Sequence, residues 1–166
     1  NDFHQRLWRH EILARQQYDT LAPDIRILIE SFLTGIVAFM HDYPKRVPSW
    51  AKEPQPHHIV ALARYLAFRT LEQQAKNEYA KQSPAYNTGN QWAVSPKRSV
   101  DNTALLCIDP FTNWRDTFRW YETHLHGGDL NVFGFAVPGL PIFSVGHNQF
   151  LGWSALPGGS DGADVY

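Results

Sequence analysis

The chain has 166 residues, enough for one domain with a hydrophobic core, and 43% of them are hydrophobic. Its 15 basic and 16 acidic residues leave a net charge of −1 and form no basic stripe, which argues against a nucleic-acid partner. The longest apolar run is too short to cross a bilayer, so we expect no membrane partner, and we expect no signal peptide within this segment. The single cysteine, Cys107, excludes an internal disulfide, and its apolar neighbours favour a buried structural thiol.

The first part of the chain has the pattern of helices. Residues 3–18 are predicted to form one helix. Within residues 23–40 the apolar positions recur at i, i+3 and i+4, which predicts a helix with one buried stripe that includes Ile25, Leu28 and Ile29. Pro23 suits the first turn of this helix, and Pro44 ends it. Another helix is predicted after Pro56.

From Gln73 to Thr88 the chain is polar and is interpreted as a linker or a fraying helix end. Short strands follow, separated by turn signals at Gly127-Gly128-Asp129 and Pro138-Gly139. Helices first and antiparallel strands afterwards predict an α+β fold. The predicted strands are residues 92–94, 104–108, 117–126, 130–137, 142–145 and 150–155.

Two groups of side chains could bind a metal. His124 and His126 lie two apart on a predicted strand and therefore on one face, but a third zinc ligand is missing, which favours ordinary hydrogen-bonded or exposed histidines. Asp161 and Asp164 lie among glycines, where carboxylates and backbone carbonyls could hold calcium, although a solvated turn is the simpler interpretation. His147 is interpreted as a turn residue.

Two stretches carry a resemblance to a known family. The string "GNQWAVSPKRSVDNTALLCIDPF" resembles the start of the catalytic β subunit of penicillin acylases, and "PGLPIFSVGHNQFLGW" is similar to their Pro-Gly-Leu-Pro…Gly-His-Asn segment. These enzymes are N-terminal-nucleophile hydrolases. The resemblance implies part of an αββα sandwich within a longer protein. Residues 1–72 would be the helical end of the α subunit, 73–88 the spacer, and 89–166 the start of the β-subunit sheet.

The catalytic positions that the resemblance implies depart from the family pattern. The family nucleophile, a Ser, Thr or Cys freed by self-cleavage, corresponds to Gly89, which has no side chain to attack a carbonyl. Asn90 follows it as in the family, whereas Phe111 stands where many acylases have a histidine. Pro157 stands at an oxyanion-hole position and lacks an N–H. Thr88 has a hydroxyl but lies one residue out of register.

The resemblance also implies binding sites. Arg64 and Tyr65 correspond to an arginine–aromatic pair of the acyl pocket, with an ordinary helix arginine as the alternative. Asp161 and Asp164 correspond to calcium-binding aspartates. The partners implied are the remainder of the acylase or another copy of the chain, together with a small N-acylated substrate or ligand. Kinship alone implies a periplasmic or secreted location.

Two functions therefore stay open. In the first, the chain is a segment of an amidohydrolase that cleaves N-acyl amides of the β-lactam or acyl-homoserine-lactone type. This segment would be unprocessed and inactive because of Gly89. Alternatively, it is a non-catalytic relative that uses the scaffold to bind an acylated ligand or a partner protein. An unrelated α+β domain is the remaining alternative.

Overall fold

A computed structural model describes residues 2–81, 89–110, 119–156 and 162. The chain divides into two compact units. The first contains residues 1–72 together with 139–141, and the second contains 73–138 and 142–166. Helices build the first unit and antiparallel strands build most of the second, which confirms the α+β prediction.

In residues 2–81, which the structure describes, the α-helices are α1 (Asp2–Leu7), α2 (His10–Tyr18), α3 (Pro23–Asp42) and α4 (Pro56–Tyr79). The helix predicted for residues 3–18 is wrong in one respect, because Arg9 adopts a left-handed conformation with φ 52° and separates α1 from α2. A single left-handed residue breaks the helical hydrogen-bond ladder. No helix in the described part of the chain is both long enough and apolar enough to span a membrane.

Helices α2, α3 and α4 each contribute buried apolar side chains to the first unit. Ile29 and Leu33, one turn apart on α3, are buried, as are Ala14 on α2 and Ile59 on α4. The predicted apolar stripe of α3 is only partly covered, since Ile25 and Leu28, which belong to it, are exposed. The helix itself ends as predicted, just before Pro44.

Residues 73–79 continue α4 without interruption, so the polar composition there does not end the helix. Gln, Lys, Asn and Glu are compatible with a helix whose surface faces water. Of the two interpretations of residues 73–88, a linker or a helix end, the second agrees with a helix that ends at Tyr79. The spacer residues 82–88, including Thr88, lie outside the described residues.

Among the described residues of the second unit, six strands form two antiparallel sheets. Strands β1 (Gly89–Val94) and β2 (Leu105–Pro110) pair with each other. Strands β3 (Tyr121–Gly127), β4 (Leu130–Ala136), β5 (Phe143–His147) and β6 (Gly152–Trp153) follow in spatial order. The turn predicted between β3 and β4 is present, with Gly128 at φ 55°. A glycine at the first central position of a two-residue loop is typical of a type II′ turn.

Some local expectations are corrected. His147 is the last residue of β5 and not a turn residue, and β6 is only two residues long. Cys107 is half-buried on β2 and not fully buried, because this two-stranded sheet leaves much of its surface uncovered. His124 and His126 lie on one face as predicted. Both are exposed, and Nε2 of His124 is 2.8 Å from Oδ1 of Asn131.

Candidate functional site

Gly89, which the resemblance aligns with the family nucleophile, begins strand β1. Gly89 pairs with Pro110 across the β1–β2 ladder, and Gln91 pairs with Ile108 two residues further on. Because side chains alternate along a strand, positions 89, 91 and 93 share one face of this sheet. Strand β1 therefore begins three residues before the strand that the sequence predicts over residues 92–94.

Two contacts with the four-stranded sheet show which residues this face of the β1–β2 sheet packs against. The hydroxyl of Ser154, just after β6, donates a hydrogen bond to Oε1 of Gln91. Leu106, the partner of Ala93, contacts Gly152 so closely that a Cβ on that glycine would lie 2.6 Å from Cδ2 of Leu106. A side chain introduced at position 89 would therefore project from the face that contacts β6 and the residues after it.

An open cleft of about 1580 Å³ lies in the second unit between these strands. Apolar side chains supply much of its lining, and the two sheets contribute from both sides. Asp109, Arg119 and His147 add polar or charged groups. The volume exceeds the usual range for small-molecule pockets, so the cleft has room for a long apolar group. The apolar lining includes Leu105, Leu106, Ile108, Trp120, Phe133, Phe135, Val145, Phe150 and Leu151.

One rim of the cleft is a loop ordered by a single side chain. Oδ1 of Asn148 accepts the backbone N–H groups of Phe150 at 2.8 Å and of Leu151 at 2.7 Å. The Asn148 N–H donates in turn to the Leu151 carbonyl at 2.9 Å. Asparagine commonly organises tight loops through bonds of this kind. This loop holds Phe150, which is 86% exposed, at the cleft wall.

Asn90 lies on the opposite face of β1 from Gln91. Its amide donates to Oδ2 of Asp109, its partner on β2, at 3.5 Å, which is a long hydrogen bond. Gly89 and Asn90 are therefore the first two residues of β1, and their positions lie on opposite faces of the strand.

Four other predicted site residues lie outside the described residues. They are Phe111, Pro157, Asp161 and Asp164.

Arg64 and Tyr65 lie on α4 in the first unit. Nη1 of Arg64 donates to Oε1 of Gln17 on α2 at 2.9 Å, and its guanidinium lies 5.5 Å from the ring centre of Phe68. Tyr65 packs edge-on against His10 with ring centres 6.0 Å apart. In this arrangement both side chains contribute to contacts between α2 and α4.

His10 is the most deeply buried polar side chain of the first unit. Neither ring nitrogen has a hydrogen-bond partner. Burial, and then the Arg64 guanidinium, hold the pKa of His10 below its ordinary value, while Glu72 acts in the opposite direction. The neutral imidazole is therefore favoured in the folded protein.

His147 and Trp120 also line the cleft, although no pattern in the sequence predicts this. His147 packs on Phe133 of β4 with ring centres 5.7 Å apart, and Trp120 packs on Phe135 at 6.1 Å. The strand register that aligns β4 with β5 brings Phe133 opposite His147. No sequence motif signals that pairing.

Sequence similarity relates this chain to known proteins. The sequence model of the penicillin amidase family matches residues 1–166. Acyl-homoserine lactone acylases PvdQ from Pseudomonas fluorescens and Pseudomonas putida are 39% identical over 66 residues, and aculeacin-A acylase from Actinoplanes utahensis is 30% identical over 66 residues. Each matched stretch covers 39% of this chain but only 8% of the relative's length. The chain belongs to the penicillin amidase family of acylases.

Proposed function

We propose that this chain is part of an acylase for N-acylated substrates of the acyl-homoserine lactone type, held in an unprocessed and inactive form. The observation that carries the proposal is the position of Gly89, the first residue of β1, on the face that contacts β6. A serine there would project its hydroxyl toward the second sheet. Glycine offers no nucleophile for self-cleavage or for attack on an amide carbonyl.

The cleft supports the substrate class. Its aromatic and aliphatic walls suit an acyl chain, since burial of each methylene is worth about 0.8 kcal/mol. The family relatives named for acyl-homoserine lactones and for aculeacin A point to amides that carry an acyl group. Hydrolysis of such an amide needs a nucleophile, a base and donors for the developing oxyanion. Glycine at position 89 supplies no nucleophile.

The same glycine and cleft favour a second candidate function. A non-catalytic relative would keep the apolar cleft to bind an acylated ligand and would have no need of a nucleophile. In either case the remaining acylase chain or a second copy is the proposed protein partner, because β1 and β2 pair only with each other among the described strands.

Two further proposals, a calcium site and a cellular location, rest on the family resemblance. A calcium ion held by Asp161 and Asp164 and a periplasmic or secreted location are both expected of a penicillin-acylase relative. Chelation followed by a thermal melt, with the Asp161→Asn variant alongside, would test the ion.

The decisive experiment is Gly89→Ser in the full-length protein, with Gly89→Ala as the matched control. If the acylase proposal is correct, mass spectrometry detects cleavage between residues 88 and 89 in the serine variant alone, and that variant releases homoserine lactone from an N-acyl homoserine lactone. An intact chain without turnover overturns this proposal. If that intact chain binds the same compound in calorimetry, the result supports the ligand-binding candidate.

A further inference from the structure

Three metal-ligating side chains meet in the first unit, where the first turns of α2 and α4 lie close together. They are Glu11, His57 and His58, and one ligand atom from each lies within 4.8 Å of the other two. Nε2 of His57 is 3.9 Å from Oε1 of Glu11, and the two imidazole rings have centres 4.3 Å apart. Ligands of a tetrahedral zinc ion lie roughly 3.3 Å from one another. Side-chain shifts of about 1 Å would therefore close this set around an ion.

His57 supplies an independent sign of a ligand. The residue is 8% exposed, and its Nε2 is buried without a hydrogen-bond partner. A buried nitrogen that has lost water and gained no partner is costly, and coordination would give its lone pair a partner. Burial, and then the neighbouring His58, also lower the pKa of His57, and this favours the neutral imidazole that binds metals.

The other two ligands are exposed and able to move. Two existing hydrogen bonds compete with a metal ion for them. The Gln55 N–H donates to Nδ1 of His58 at 2.9 Å, and Arg15 donates to Oε1 of Glu11 at 2.8 Å. Coordination through Nε2 of His58 would place the proton on Nδ1 and open the Gln55 bond, whereas the Glu11 carboxylate keeps a second oxygen.

The surroundings also provide a route for an ion. A cavity of about 570 Å³ is lined by Glu11 and His58 together with Arg6, Arg9 and other side chains. Two imidazoles and one carboxylate match the donors of zinc sites, in which water takes the fourth position. Calcium and magnesium instead prefer oxygen ligands alone.

We propose that Glu11, His57 and His58 bind one divalent transition-metal ion, with Zn²⁺ the ion that fits this donor set best, and that the ion joins α2 to α4. None of these three residues belongs to the set that the family resemblance assigns to the acylase chemistry or to calcium. It stabilises the folded first unit by linkage, because an ion that binds only the folded state raises the free energy of unfolding.

The test is a calorimetric titration of the full chain, without a polyhistidine tag, with ZnCl₂ and with MgCl₂. We expect one Zn²⁺ per chain, no Mg²⁺ at these residues, and a higher thermal midpoint with Zn²⁺. Glu11→Gln and His58→Ala should each weaken Zn²⁺ binding at least tenfold. Arg15→Gln should strengthen it, because the competing guanidinium is removed from Glu11.

The matched control is His41→Ala, which removes the ring from another exposed histidine–glutamate pair, His41 and Glu53, at 2.8 Å. This variant should bind Zn²⁺ like the parent chain. The proposal is overturned if the parent chain binds no Zn²⁺, if Glu11→Gln and His58→Ala both bind as the parent does, or if His126→Ala alone abolishes binding. Circular dichroism verifies that each variant is folded, so loss of structure is not mistaken for loss of a ligand.

Discussion

Ser154 donates its hydroxyl hydrogen to the side-chain carbonyl of Gln91, and this bond joins the segment after β6 to strand β1. Gln91 is two residues from Gly89 on the same face of the strand. The bond therefore lies beside Gly89, the residue that the resemblance aligns with the family nucleophile, and it helps to fix the separation of the two sheets there.

We predict that Gln91 and Ser154 are energetically coupled. In a double-mutant cycle built from Gln91→Ala and Ser154→Ala, the coupling should be about 0.5–1.5 kcal/mol, the usual net value of one hydrogen bond. Urea denaturation followed by tryptophan fluorescence measures it. Additive effects of the two substitutions would show that the contact contributes nothing to stability.

Gly134 and Gly146 face each other across β4 and β5 at a backbone approach that excludes side chains. A Cβ on Gly134 would lie 2.2 Å from the Val145 carbonyl oxygen and 2.6 Å from Cα of Gly146. Backbone atoms cannot move away cheaply, so Gly134→Ala should lower the free energy of unfolding by about 3 kcal/mol. Urea denaturation measures the change.

The control for this substitution is Gly35→Ala, in the interior of α3. A Cβ there would meet no atom within 4 Å. Alanine is the better helix former, so this variant should be more stable than the parent by about 0.5–1 kcal/mol. Equal and small effects at positions 35 and 134 would contradict the close approach of β4 and β5.

The stability of the first unit should depend on pH through His10. Its pKa is lowered in the folded protein from an ordinary value of 6.5, so below about pH 6.5 the unfolded chain binds more protons than the folded one. The stabilisation is complete above pH 6.5 and is lost as the pH falls toward the folded pKa. The slope for one such group is at most about 1.4 kcal/mol per pH unit.

Two variants separate His10 from other titrating groups. His10→Phe removes the titrating ring and should reduce the slope of the unfolding free energy between pH 7 and pH 5, leaving the part due to His57. Arg64→Met removes the cation that lowers the pKa of His10 and should reduce the slope in the same direction. Chemical denaturation at several pH values measures both. An unchanged slope in His10→Phe would refute the assignment.

Local sequence patterns predicted much of the fold. The i, i+3, i+4 spacing after Pro23 and the proline that follows the helix located α3 to within two residues at its end. Gly128 likewise marked the β3–β4 turn. These features depend on neighbours in the sequence, so they can be recognised before any tertiary contact is known.

Other features depended on tertiary structure. The left-handed Arg9 gives no propensity signal, and the length of β6 depends on its pairing with β5. The face to which Gly89 belongs follows from the β1–β2 register and from contacts with β6, which lies about sixty residues further along the chain.

The sequence by itself determined the α+β class and the family, and it predicted that Gly89 takes the nucleophile position. These properties can be recognised in the sequence because periodicity, turn residues and motifs depend on residues that lie close together in the chain. Tertiary structure alone decided which way position 89 faces, which residues line the cleft, and that Glu11 meets His57 and His58. These contacts join residues that are far apart in the chain, and only the packing of the folded elements brings such residues within contact distance.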